Sequence, residues 1–216
     1  ISYLEKIAPL TYQEEYDNCG LIVGDKDAVL NEALITLDCT EAVIEEAIET
    51  GCNLIISHHP IIFSGLKKLN GSNYIERTVI KAIKHNIAIY AIHTNLDNVH
   101  NGVSAKIADK LGLENCKILA PRDEVNNPNI GFGIIGELPQ SVQSKIFLKN
   151  LKNIMVTDCV RYTSLVRETI KKVAVCGGSG SSLLLRAKAL DADIYISADF
   201  KYHDFFDADN KLILAD

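Results

Sequence analysis

The stretch ALITLDCTEAVIEEAIETGCNLIISHHP, residues 33–60, decides the fold. Its opening, Ala33 to Leu37, is a short apolar run of strand character. Thr40 stands where an N-cap belongs, and Glu41 to Thr50 carries Val43, Ile44, Ala47 and Ile48 at the spacing of one helix face. Gly51 is the stop signal. A second apolar run, Leu54 to Ser57, then delivers His58, His59 and Pro60. Strand, helix and strand in this order predict a right-handed crossover between parallel strands.

Reading onward, a loop with Pro60 and Gly65 leads to a helix over Tyr74–His85 with stripe Ile75, Val79, Ile80 and Ile83. The strand Ile87–Ile92 follows, then His93-Thr94-Asn95-Leu96-Asp97. Three parallel strands place their carboxyl ends on one edge, where open α/β sheets bind ligands. Asp38, His58, His59, His93 and Asp97 are thus candidates to meet there. Imidazole and carboxylate together suit zinc, manganese or iron, and neutral imidazole is available near physiological pH. Adjacent His58 and His59 would diverge in a regular strand, so one ion takes both only if the turn at Pro60 rotates one ring. Two ions are the alternative, and a pair ~3.5–4 Å apart can polarise a phosphoryl or carbonyl oxygen and lower the pKa of a bridging water. His93 fits either a ligand or a donor that orients one. His85 and His100 read as solvated.

A turn-rich polar segment, Pro121 to Pro128, marks the best candidate boundary. A second α/β half is predicted beyond it: a strand over Ile130–Gly136, a helix over Val142–Leu151 and a buried strand over Lys172–Cys176. Gly177-Gly178-Ser179-Gly180-Ser181-Ser182 then opens a helix with stripe Leu183, Leu184, Ala187 and Leu190. Anion capture by backbone N–H groups and a plain tight turn both suit that glycine run; no Lys-Ser/Thr pair follows to make it a P-loop. Strands over Asp193–Ser197 and Leu212–Leu214 complete the half. Asp199, Lys201 and His203 alternate, as on one face of an extended segment.

Composition narrows the class. The 216 residues, 47% hydrophobic and 23% charged, describe an ordinary globular chain. A net charge of -6 argues against a general nucleic-acid surface. No apolar stretch reaches the ~20 residues of a membrane span, and no secretory leader is read at Ile1. Six scattered cysteines without a C-x-x-C pair argue against a zinc ribbon or a redox dithiol and suit a reduced cytoplasm.

Five segments, in order, resemble the Nif-three-like family, also catalogued as GTP cyclohydrolase I type 2 homologues. They are Asp17–Gly24, Ser57–Phe63 with its double histidine, Ala91–Asp97 with His-Thr-Asn-x-Asp, Val175–Gly180 and Asp199–Asp204. The resemblance implies two related α/β halves with largely parallel sheets packed as one Nif-three-like unit. The halves are expected at 1–121 and 128–216, with 122–127 the junction where longer members carry an inserted domain. It also implies a dinuclear divalent site, with His58 and Asp97 on one ion and His59 on the other, and a homohexamer. His93, Ser179 and His203 are then expected to orient ligands or bind substrate. The family's remaining ligands are expected on a Gly-His-x-x-x-Glu-like segment after the final strand, beyond Asp216. Ala198 stands where the family usually has Gly. The implied activity is hydrolysis of a nucleotide-like or phosphorylated substrate; the alternative is a non-catalytic metal-binding or scaffolding assembly that engages partner proteins.

Overall fold

Apolar alternation and helix caps account for most of the architecture. The computed structural model describes residues 1–122 and 127–216, in two compact units, Ile1–Leu96 and Asp97–Asp216.

The first unit contains α1 (Ser2–Ile7), β1 (Gly20–Val23), β2 (Ala33–Thr36), α2 (Glu41–Thr50), β3 (Leu54–Ser57), α3 (Tyr74–Lys84) and β4 (Ala88–Ala91). The sheet order is β1-β4-β3-β2. Strands β2, β3 and β4 run parallel, with Thr36 beside Ser57 and Ser57 beside Ala91, so their carboxyl ends are level. Thr40 caps α2 by accepting from Val43 N at 3.4 Å, and Gly51 ends it in the left-handed region at φ 77. Asn73 caps α3, accepting from Glu76 N at 2.9 Å, while the Glu76 carboxylate accepts from Asn70 and Ser72 N–H at 3.0 Å each. Ile44 and Ala47 of α2 and Val79 and Ala82 of α3 close over Ile55 and Ile89.

Some expectations for this unit change. Ile48 of the α2 stripe and Ile83 of the α3 stripe are 38% and 53% exposed; the buried face of α3 is carried by Glu76, Thr78, Val79 and Ala82. Strand β1 was not foreseen. It pairs antiparallel with β4, Leu21 opposite Tyr90, and adds an antiparallel edge to the parallel set. Gly24 follows it at φ 109, and a Cβ there would stand 2.7 Å from the Ala88 Cβ.

Helix α4 (Thr94–Asp97) spans the division. The second unit then holds α5 (Val103–Leu111), β5 (Glu114–Pro121), β6 (Gly131–Gln143), α6 (Ser144–Ile154), β7 (Thr169–Ser179), α7 (Leu184–Ala189), β8 (Ile194–Ala198), α8 (Asp204–Asp207) and β9 (Ile213–Ala215). Its sheet runs in chain order. The β5/β6 and β6/β7 pairs are antiparallel, and β7/β8 and β8/β9 are parallel. Period-two alternation sorts the core into two faces. Ile134, Val173, Val175, Ile194 and Ile213 face Phe147, Leu148 and Leu151 of α6, whereas Leu119, Ala174, Tyr195 and Leu214 face Leu184 and Ala187 of α7.

The two compact units meet at Leu96/Asp97, and β5 and β6, on either side of the segment 122–127, pair with each other through Pro121 and Gly131. Residues 123–126 of the expected junction lie outside the described residues. The glycine run does not open a helix either: Gly177, Gly178 and Ser179 prolong β7, a 3-10 turn takes Ser181–Leu183, and α7 begins only at Leu184. The anion cradle at a helix N-terminus therefore lacks its helix. No helix among the described residues is long and apolar enough to cross a membrane.

Candidate metal centre

Regular strand geometry stops at Ser57, one residue before the double histidine. His58 N donates to Thr36 O at 3.1 Å and His59 N to Leu37 O at 3.0 Å, while Ile92 N reaches Ser57 O at 2.9 Å. These bonds seat the bend against β2 on one side and the end of β4 on the other. Strand alternation lapses there, so the condition under which adjacent imidazoles can converge is met. The rings of His58 and His59 are 5.0 Å apart, and His93 lies 5.2 and 5.4 Å from them. A ring nitrogen of each lies within 4.8 Å of the other two, a spacing that can hold a metal ion.

Each ring is held from behind. Nδ1 of His58 faces the Ile92 carbonyl at 2.9 Å, Nδ1 of His59 faces Asp38 Oδ1 at 2.8 Å, and Nδ1 of His93 faces Asp17 Oδ1 at 2.9 Å. An acceptor at Nδ1 fixes the tautomer with the proton on that nitrogen, which leaves the Nε2 lone pair for a ligand. The anchors differ in strength. His59 and Asp38 are 46% and 60% exposed, a solvated pair of small worth. The Asp17 side chain is 0% exposed. Thr94 N donates to its carboxylate at 3.0 Å, Cys19 Sγ at 3.0 Å and Asn18 N at 2.8 Å, with the Thr94 hydroxyl in close contact.

Two groups of the site are shifted, the Asp17 carboxyl and the His58 imidazole. Burial pushes the Asp17 pKa upward, but donation from Thr94, His93, Cys19 and the Asn18 amide outweighs it and holds the carboxyl well below the usual range. For His58, burial pulls the pKa down, the Ile92 carbonyl offsets part of that, and the neighbouring His93 and His59 add to the depression. The shift favours the uncharged form of His58, the form that coordinates metal.

The other expected site residues lie in the second unit. Asp97 is partly buried at the end of α4, in the second unit. Ser179 is exposed at the end of β7, and His203 is exposed before α8 with its ring edge-on to Tyr202. Asp199 has φ 59, so the chain turns out of strand geometry after Ala198. The alternation assigned to Asp199, Lys201 and His203 therefore does not operate. Carbonyls of the glycine run are occupied: Tyr195 Oη donates to Gly180 O at 2.6 Å and Ser197 Oγ to Gly178 O at 2.8 Å. The residue whose role was missed is Asp17. Its only sequence signal is its place in the Asp17–Gly24 stretch, 76 positions from His93.

Known proteins are similar to this chain along nearly its whole length. The family model described as Duf34/NIF3 (NGG1p interacting factor 3) matches residues 1–215. A Clostridium acetobutylicum protein named GTP cyclohydrolase 1 type 2 homolog is 36% identical over 200 residues, 93% of this chain and 74% of its own length. A Clostridium perfringens protein of the same name is 36% identical over 203 residues, 94% of this chain and 77% of its own. Among solved structures, a Bacillus cereus protein related to NIF3 superposes with a TM-score of 0.92 at 26% identity, covering 100% of this chain and 85% of that one. A hypothetical protein from Staphylococcus aureus gives 0.92 at 30% identity, covering 100% and 83%. With that family model matched over residues 1–215 and relatives 36% identical across more than nine-tenths of its length, this chain belongs to the Duf34/NIF3 family.

Proposed function

We propose that the chain is a dinuclear divalent-metal hydrolase of a nucleotide-like or phosphorylated substrate. The observation that carries the metal reading is the convergence of three imidazoles, each with Nδ1 occupied by an oxygen acceptor. Such a donor set fits zinc, manganese or iron. His58 and Asp97 would serve one ion and His59 the other, with Asp38 and the Ile92 carbonyl orienting the two rings. When bound, the ions supply positive charge that polarises a phosphoryl or carbonyl oxygen. His93, fixed by buried Asp17, would hold or accept a proton at Nε2 beside the ions. Ser179 and His203 are proposed to contact the anionic end of the substrate. Relatives bear the name of a GTP cyclohydrolase homolog, which makes guanine nucleotides the first substrates to try.

A homohexamer in the cytoplasm, a setting that six free thiols suit, completes the proposal. The inserted domain of longer members is proposed to enter at 122–127, which joins two paired antiparallel strands, so an insertion there keeps both ends close. A mononuclear three-histidine centre is the second reading, favoured by the cluster of His58, His59 and His93 itself. A non-catalytic metal-binding or scaffolding role is the alternative to turnover.

The test is a screen of the metal-loaded protein against GTP, phosphoesters and cyclic phosphates, with His58→Ala and Asp97→Ala as controls. Turnover lost in both variants supports the hydrolase. Stoichiometric metal with no turnover on any substrate supports the binding role.

A further inference from the structure

The α7 side of the second sheet carries a cavity of about 380 Å³ that none of the roles above uses. Lys117, Lys172 and Arg186 line it, Glu137 is the one carboxylate among its lining residues, and Ile135 and Leu190 supply an apolar wall.

Strand register explains the gathering. Lys117 lies opposite Ile135, and Glu137 lies opposite Lys172; directly opposed residues project from the same face. Between Glu114 and Lys117, β5 carries one residue more than β6, a bulge in which Asn115 takes φ 53. Without the bulge, Lys117 would face away from the side that Glu114 shares with Glu137. Two cations are also anchored: Lys172 Nζ donates to Leu190 O and Arg186 Nε to Leu119 O, each at 3.2 Å. These bonds leave both terminal Arg186 nitrogens and two Lys172 protons for a ligand. Lys117, Lys172 and Arg186 form no ion pair among the described residues.

In a chain of net charge -6, three unpaired cations against one carboxylate beside an apolar wall form a local excess of positive charge. The volume falls within the range of small-molecule pockets. We propose that this cavity binds a small organic oxyanion, a phosphomonoester or a carboxylate on an aromatic or aliphatic body. The charged end would lie among Lys117, Lys172 and Arg186 and the body against Ile135 and Leu190. This site is independent of the histidine cluster and needs no metal.

Calorimetric titration of the chelator-treated protein with phenyl phosphate and with benzoate tests it, with phenol and inorganic phosphate as controls. At least one of the two anions binds, more tightly than either control, and affinity falls as salt rises. Lys172→Gln and the exposed-residue variant Lys117→Glu each weaken it about tenfold, a loss typical of one charge-assisted contact, with circular dichroism unchanged. Preference between the two anions identifies the headgroup. No binding at millimolar concentration, inorganic phosphate binding as tightly as phenyl phosphate, or affinity unchanged in both variants would each overturn the proposal. Binding of a polyglutamate peptide but of neither small anion would assign the face to an acidic partner and overturn it as well.

Discussion

Asp17 sets the terms of the histidine cluster, since its carboxylate is 0% exposed and accepts from His93, Thr94, Cys19 and Asn18. Asp17→Asn removes the charge and turns one acceptor oxygen into a donor facing other donors. Metal affinity should fall about 10- to 100-fold, as when other groups that orient ligands are lost, and titration with a competing chelator measures it. Stability should fall by about 1–3 kcal/mol, read from urea unfolding. The pH dependence has a definite sign. A depressed folded pKa gives stability that is full above the unfolded aspartate value of about 4 and is lost as pH falls toward the folded value. The metal-free wild type should therefore lose stability more steeply below pH ~4 than Asp17→Asn; parallel profiles would contradict the assignment. His58, His59 and His93 were legible in the sequence because each follows an apolar strand run. Asp17 was not, because its partners are distant in the chain and nothing local marks a buried carboxylate.

At the scale of elements, the level carboxyl ends of β2, β3 and β4 bring the histidines together. That unit was readable because periodicity, Thr40 and Gly51 all agree. Strand β1 was hidden because, unlike the equally short β2, β3 and β4, it belongs to no strand–helix–strand repeat, and α5 by a modest buried face of Ser104, Ala108 and Leu111. Strand β5 was missed because its first half, Glu114-Asn115-Cys116-Lys117, is polar and mostly exposed and its end runs into a polar turn. The close approach of Gly24 to Ala88 makes a measurable demand. Gly24→Ala adds a clash to a left-handed conformation and should cost about 2–4 kcal/mol. Gly51→Ala, where a Cβ meets nothing within 4 Å, should cost only about 1–2 kcal/mol. Chemical denaturation of the two variants in parallel checks the order, and equal losses would contradict the close packing of the Gly24 turn against β4.

Across the whole molecule, the two-half α/β plan and the family were legible from five ordered motifs. The division at Leu96/Asp97 was not, since strand pairing across a polar segment cannot be seen in composition. A ligand that binds only the folded chain stabilises it by mass action. Zinc, manganese or iron at about 100 times its dissociation constant should therefore raise the unfolding free energy by about 2.7 kcal/mol, an effect that excess chelator reverses. The decisive measurement is metal content, by elemental analysis of the full-length, untagged protein, prepared without chelator and supplemented with zinc, manganese and iron. At least one divalent ion per chain is expected, two for a dinuclear site, with a marked loss in His58→Ala and His59→Ala. A natively folded protein that retains no divalent metal under those conditions would contradict that expectation.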